Sequence, residues 1–281
     1  MLRITFLFFL VFSSTLRAQF TDDILLGNEY YYAGELEKAR DIYEKIISED
    51  PAQVSRIHNN YFDILLTQQQ YDIAEKYINK LIKSNPSFLK YKIDKGLLYG
   101  RKGLIEKQRD YYIALIEENI DQVNNIRIIA SYLSRYQLID LALSAYDLSR
   151  NHLNDQGLYA IEMANMYRVK NDKQEMVNEY LNYLYANPGN TSNIQNILQN
   201  VLNDQKDLEL FENQLIAEIQ DNPGNSMLSE MLIWVNLQQK DFFPAFIQAR
   251  SLDKRNKTRG RQIVDIAMIA LDNRDYQNAI K

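Results

Sequence analysis

The chain has 281 residues, 46% of them apolar and 25% charged, with a formal charge of −5 and no cysteine. The missing cysteine excludes disulfides, thiolate nucleophiles and sulfur ligands for a metal. The acidic balance, with no long Lys/Arg run, argues against a nucleic-acid ligand.

The first 18 residues stand apart. Arg3 precedes the apolar run Ile4–Phe12, and Ser13, Ser14, Thr15, Leu16, Arg17 and Ala18 follow it. A charged start, a short apolar middle and a small-residue end predict a secretory signal peptide over residues 1–18, cleaved after Ala18. The alternative is an uncleaved anchor, but the run is about nine residues where a membrane span needs roughly 20. No cysteine follows it to carry a lipid, and no other segment is apolar enough to span a bilayer. Cleavage removes Arg3 and Arg17 and no acid, moving the formal charge from −5 to −7. An exported chain without disulfides fits a bacterial periplasm, which is the location expected here.

From residue 20 the chain is periodic. Pro51, Pro86, Pro188 and Pro223 are separated by 35, 102 and 35 residues, so all four fall in one phase of a repeat of about 34. When each unit is numbered so that its recurring alanine is position 20, the prolines fall at position 32. Unit one (20–53) carries Gly27, Tyr30, Ala39, Tyr43 and Pro51; unit two (55–88) carries Leu65, Ala74, Ile78 and Pro86. Unit three (89–122) has Gly96, Tyr99 and Tyr112, and unit four (123–156) has Ala130, Leu133, Ala142 and Tyr146. Unit five (157–190) has Ala164, Tyr167, Tyr180 and Pro188, and unit six (192–225) has Leu202, Leu215 and Pro223. Unit seven (226–259) keeps Ala245, and a part unit from 260 keeps Ala267, Tyr276 and Ala279. Positions 8 and 11 lie one helical turn apart, as do 20 and 24, so each unit predicts two helices with one apolar face each. Small residues at 8 and 20 predict a close antiparallel approach, with bulky neighbours filling the space beside them. Short polar turns such as Ala33-Gly34-Glu35 join the helices, and the proline closes the unit. Pro244 falls at position 19, in the first turn of a second helix, where proline is tolerated. Gln108, Met176 and Phe211 replace the small residue at position 20, and Gln199 sits at position 8 of unit six. Those units are expected to pack less regularly.

The pattern Gly27-x2-Tyr30-x8-Ala39-x3-Tyr43-x7-Pro51, kept in phase across residues 20–259, resembles the tetratricopeptide repeat family. The segment Met227–Lys281 is also similar to repeat proteins of Bacteroidota bacteria. The resemblance implies an all-α, right-handed superhelical solenoid of about seven and a half repeats over residues 19–281. It also implies a concave face, lined by the first helix of each unit, that holds extended peptides or partner helices.

Signals for chemistry are scarce. His58 and His152 are the two histidines, in different phases of the repeat, and packing or solvated roles suit both. No catalytic residue, metal site or cofactor is expected, and no phosphate-cradling glycine pattern is present. Tyr31 and Tyr32 beside the core Tyr30 read as amphipathic surface. The residues expected on the concave face include Arg56, Asn59, Arg127, Arg168, Asn196, Asn200 and Trp234, together with Lys90, Arg101, Arg135, Asn165 and Asn203. With Arg261 the cations there number seven, against the acids Asp63, Asp204, Glu230 and Asp272. Arg binds carboxylates bidentately and Asn pairs with a peptide backbone as donor and acceptor. The expected partner is therefore an extended, acid-bearing polypeptide. Trp234 is either an exposed hot spot or half-buried between units. The set of groove Lys and Asn with which some members of the family clamp a terminal carboxylate is not found in consecutive units.

The pattern stops at Lys281, one turn into a second helix, without the polar capping helix that such arrays need. The expectation is that the chain continues or that a partner covers this end. Three roles stay open: a stand-alone periplasmic scaffold, the sensor half of a membrane receptor with a kinase or DNA-binding output, or the binding part of an enzyme whose chemistry lies elsewhere.

Overall fold

The computed structural model describes residues 22–280; the leader expected over residues 1–18 lies outside them. Apart from two 3₁₀ turns, the regular structure among the described residues is α-helix. It divides into two compact bodies, one reaching to Glu118 and one starting at Asn119. The first holds α1 (22–32), α2 (Leu36–Glu49), α3 (Val54–Thr67), α4 (Tyr71–Ser84), α5 (Leu89–Arg101) and α6 (Ile105–Glu118). The second holds α7 (Val123–Arg135), α8 (Ile139–Leu153), α9 (Ala160–Val169), α10 (Lys173–Ala186) and α11 (Thr191–Gln199), then α12 (Gln205–Asp221), α13 (Ser226–Gln238), α14 (Phe242–Asn256), α15 (Arg261–Asp272) and α16 (Tyr276–Ala279). Among the described residues no helix is long and apolar enough to cross a membrane.

The helix α4 shows why these segments are helical. Ala74, Tyr77, Ile78 and Leu81 recur at three- or four-residue spacing and are the residues it buries. Asp72 in the first turn and Lys83 in the last each oppose the helix dipole favourably. Its end is set by Pro86: Asn85 leaves the helical region at φ −137°, ψ 70°. Asp50, Asn187 and Asn222, before the other three prolines, adopt φ −139°, −136° and −129° with ψ 81°, 61° and 63°. The clash between a proline ring and the residue before it therefore ends α2, α4, α10 and α12 in one geometry. Pro244 is the third residue of α14, in its first turn as the sequence required.

Within a pair the helices are antiparallel, and the contacts show the register. A Cβ built on Gly27 (position 8) would stand 2.6 Å from Cε1 of Tyr43 (position 24), and one on Gly96 would stand 2.4 Å from Cε1 of Tyr112. One turn further along α5, Gly100 (position 12) faces Gln108 (position 20). As one index rises the other falls, so the chain has folded back on itself. The close approach expected between small residues at 8 and 20 is thus a small residue at 8 beneath the ring at 24. Tyr43 then donates to Asn28 Oδ1 at 2.7 Å and Tyr112 to the Ile93 carbonyl at 2.8 Å. In unit seven the volumes are exchanged: Ile233 at position 8 and Ala249 at 24 share one buried cluster. What this contact demands is a summed volume, and Gly/Tyr and Ile/Ala both supply it.

The turn inside each pair is more uniform than its sequence. Gly34, Gln69, Gly103, Gln137, Asn171, Lys240 and Arg274 all sit at position 15, and all have positive φ, from 56° to 78°. Only two are glycine, the residue that adopts this conformation without steric cost. Unit six breaks the rule, because position 15 is Lys206, inside α12. Its first helix, α11, has nine residues, and α12 starts early at Gln205, capped by Asp204, which accepts from the Asp207 amide at 2.8 Å. The irregularity expected from Gln199 and Phe211 is found here. It is not found in unit three, where Gln108 is buried, donates to the Gly96 carbonyl at 3.2 Å and finds room because Gly100 faces it. A buried ion pair, Arg150 Nη1 to Glu179 Oε2 at 2.7 Å, ties α8 to α10.

Candidate functional site

In the first body, Arg56 and Asn59 are exposed on α3, three residues apart and so on one side of the helix. Arg56 is held by Gln53, its Nη1 donating to Oε1 at 3.1 Å. Asp63, one turn on, accepts from the Tyr31 hydroxyl at 2.7 Å, and burial with this bond pushes the Tyr31 phenol well above its ordinary value. Lys90 is not a free cation, since it pairs with Asp94 on the same helix.

In the second body, Arg127 and Arg168 have different surroundings. Arg127 donates from Nε to Glu162 Oε1 at 2.8 Å and lies 5.3 Å from the centroid of the Tyr159 ring. Tyr159 is itself fixed: it is buried at φ 61°, stacks on Tyr146 at 4.7 Å and shares a 3.1 Å hydrogen bond with Ser149. The guanidinium of Arg127 is therefore largely used in joining α7 to α9. Arg168, near the end of α9, is exposed and makes no ion pair among the described residues.

Arg168 lines a groove of about 520 Å³ together with Asn171, Lys173, Ile197, Asn200, Val201 and Asn203. Lys173 pairs with Asp207, so Arg168 is the cation left for a ligand. Asn200 donates from Nδ2 to the Asn196 carbonyl at 2.7 Å, which holds its amide over the groove wall and leaves its Oδ1 to accept. Of the residues expected on the concave face, the structure thus brings Arg168, Asn200 and Asn203 together, with Asn196 one turn behind. Trp234, on α13, is half-buried against the second body's core. It takes the half-buried of the two roles open to it. Nearby Glu230 is also half-buried, and burial raises its pKa above the ordinary carboxylate value.

Asn171 and Lys173 were not anticipated in the groove wall. They occupy position 15, in the turn after the first helix, and position 17, the first residue of α10, and the expected set came from the first helix alone. A second cluster was also missed. His58 is buried, donating from Nε2 to Asp94 Oδ2 at 2.7 Å while Nδ1 accepts from the Tyr77 hydroxyl at 3.2 Å. Burial lowers the histidine pKa, partly offset by Asp94, so the ring is neutral. Burial also pushes the Asp94 carboxyl upward, but His58 and Lys90 more than reverse this and hold it below its usual value. The sequence carried one signal: His58 and Asp94 are 36 residues apart, about one repeat, as are many cross-repeat contacts such as Arg127–Glu162.

A model described as tetratricopeptide repeat matches residues 24–53, which cover most of α1, all of α2 and the Pro51 turn. No curated protein matches the chain. Among solved structures, a tetratricopeptide repeat protein from Parabacteroides merdae aligns at 14% identity over 89% of this chain and 98% of its own, with a TM-score of 0.35. The C-terminal part of a TPR repeat-containing protein from Cytophaga hutchinsonii aligns at 12% identity over 89% and 94%, with a TM-score of 0.33. The complex of the TPR2AB domain of yeast Sti1 with pHSP90 aligns at 14% identity over 94% and 99%, with a TM-score of 0.32. Overlaps this loose carry no argument about shape or ligand. The weight falls on the matched first pair and on the register that the later pairs share with it.

Proposed function

We propose that this chain, whose residues 24–53 match a tetratricopeptide repeat model, is a non-catalytic scaffold, exported to the periplasm, that holds an extended, acid-bearing polypeptide on the first helices of its second body. The observation that carries the reading is Arg168. It is an exposed guanidinium without an ion pair among the described residues, on a groove whose other walls offer the amides of Asn171, Asn200 and Asn203. A carboxylate side chain suits the fork of Arg168, and the backbone of an extended segment suits amides that both donate and accept. Ile197 and Val201 give the groove an apolar floor on which such a segment can lie. Export rests on the leader read in residues 1–18.

The test is selection from a displayed library of random twelve-residue peptides doped with Asp and Glu, on the wild-type chain and on Arg168→Glu. Acidic peptides enriched on the wild type should lose at least tenfold in affinity on the variant, since the reversal removes a charge-assisted bond and sets two carboxylates against each other, together costing roughly 1.5–3 kcal/mol. Enrichment without acids, or affinity unchanged by the reversal, would sink the proposal. Arg127→Glu is the weaker probe, because it also breaks the contact with Glu162.

A further inference from the structure

The first body carries a second concavity, on the side of its proline turns. Its volume is about 330 Å³, and it is bounded by α2, the turn at Pro51, the second half of α4 and the start of α5. The walls are mainly apolar and aromatic: Ile47, Val54, Leu81 and the rings of Tyr77, Phe88 and Tyr91.

Two features make it more than a gap between turns. The first is rigidity. Tyr77 is tethered through its hydroxyl to His58 Nδ1 at 3.2 Å, its ring lies edge-on to Tyr61 at 4.9 Å, and His58 is fixed in turn by Asp94. Phe88 is about half exposed yet held edge-on to Tyr91 at 4.6 Å, so an aromatic edge faces the opening without closing it. Walls held in this way lose little freedom when a ligand enters. The second feature is charge. Of the residues lining the pocket only Lys80 carries a formal charge, and it makes no ion pair among the described residues, whereas Lys38, Lys45, Lys90, Lys92 and Lys102 of this body are paired. Lys80 stands three residues from Tyr77 on α4, on the side that also carries Leu81 and Ser84. The amide of Asn85 supplies a further donor at the rim.

We propose that this pocket binds a small aromatic carboxylic acid, its ring packed among Tyr77, Phe88 and Tyr91 and its carboxylate at Lys80. The volume lies at the lower end for ligand sites and suits a molecule the size of one aromatic amino acid. A pocket whose one charge is an unpaired ammonium beside aromatic walls selects that combination over a neutral or cationic ring. The site shares no residue with the Arg168 groove and does not depend on the function proposed for it.

The experiment titrates the full chain with 3-phenylpropionate and with its neutral amide, by calorimetry or ligand-observed NMR. The acid should bind saturably with a dissociation constant on the order of 100 µM, the range open to a ligand of about ten heavy atoms. The amide should bind roughly three- to fivefold more weakly, the scale of one partly exposed ion pair. Lys80→Met should bring acid and amide to equal affinity. Ala52→Phe, at an exposed position of the pocket wall, should abolish binding of both while leaving the helical circular dichroism unchanged. A tetrapeptide ending in Phe, with its carboxylate free, is the competing arm. Tighter binding of the peptide than of the free acid would overturn the assignment in favour of a chain terminus. Absence of saturation, equal affinity of the wild type for acid and amide, or survival of binding in Ala52→Phe would also overturn it.

Discussion

Gly96→Ala isolates the contact that sets the helix register. In an unconstrained helix the change is favourable by about 1 kcal/mol, because glycine has more backbone freedom to lose. Here the new methyl would stand 2.4 Å from Cε1 and Cζ of Tyr112 and 2.9 Å from its hydroxyl oxygen. Tyr112 cannot swing aside freely: it is fully buried, and its hydroxyl donates to the Ile93 carbonyl at 2.8 Å. Overpacking of this kind costs about 1–3 kcal/mol, and losing the hydroxyl bond adds about 1 kcal/mol. Against the propensity gain, the net loss should be about 1–3 kcal/mol. The assay is urea unfolding followed by circular dichroism, run as a double-mutant cycle with Tyr112→Leu. In the Tyr112→Leu background the obstructing ring is gone, so Gly96→Ala should become neutral or stabilising by up to about 1 kcal/mol. Equal destabilisation in both backgrounds, or a gain in the wild type, would refute the claim that a ring at position 24 excludes a methyl at position 8.

Two further outcomes follow from the turns and from the buried histidine. Gln137→Gly, at φ 64°, should stabilise the second body by about 0.5–1 kcal/mol, since the left-handed region costs a side chain roughly 1–2 kcal/mol and the chain entropy of glycine takes back about 0.5–1 kcal/mol; a lower unfolding midpoint would contradict it. For His58 the folded pKa lies below the ordinary 6.5, so as pH falls the unfolded chain takes up a proton that the folded chain refuses. Stability should therefore fall from about pH 6.5 downward, and the Asp94 contribution, held below its usual 3.8, should erode only in stronger acid. His58→Gln should flatten the decline in melting temperature between about pH 6.5 and 5; an unchanged slope would place the acid sensitivity elsewhere.

The legible part of this protein is the part that repeats. A proline every unit dictates where a second helix must stop, because its ring acts on the residue before it whatever packs nearby. Asp50, Asn85, Asn187 and Asn222 accordingly share one conformation in the structure. Spacing within a helix is equally local, so Ala74, Tyr77, Ile78 and Leu81 could be assigned to one face from their order alone. Which residues lie on the first helix of each unit was legible too, since position in the repeat fixes position along that helix.

What lay beyond the sequence depends on which side chains meet across elements. Arg127 and Arg168, at positions 5 and 12 of their units, were both expected on the same face, yet Glu162 and Tyr159 occupy the first and leave the second open. Gln108 and Phe211 both break position 20; Gly100 opposite absorbs the first, while the second accompanies a shortened α11. Asn171 enters the groove from a turn and Lys173 from the start of α10, and Gln69, Gln137, Lys240 and Arg274 adopt left-handed backbone that their identities do not favour. Local sterics act along the chain and can be read there. Volume matching and charge pairing act through space, so only the folded structure decided which arginine is free, which turn is strained and where a pocket remains.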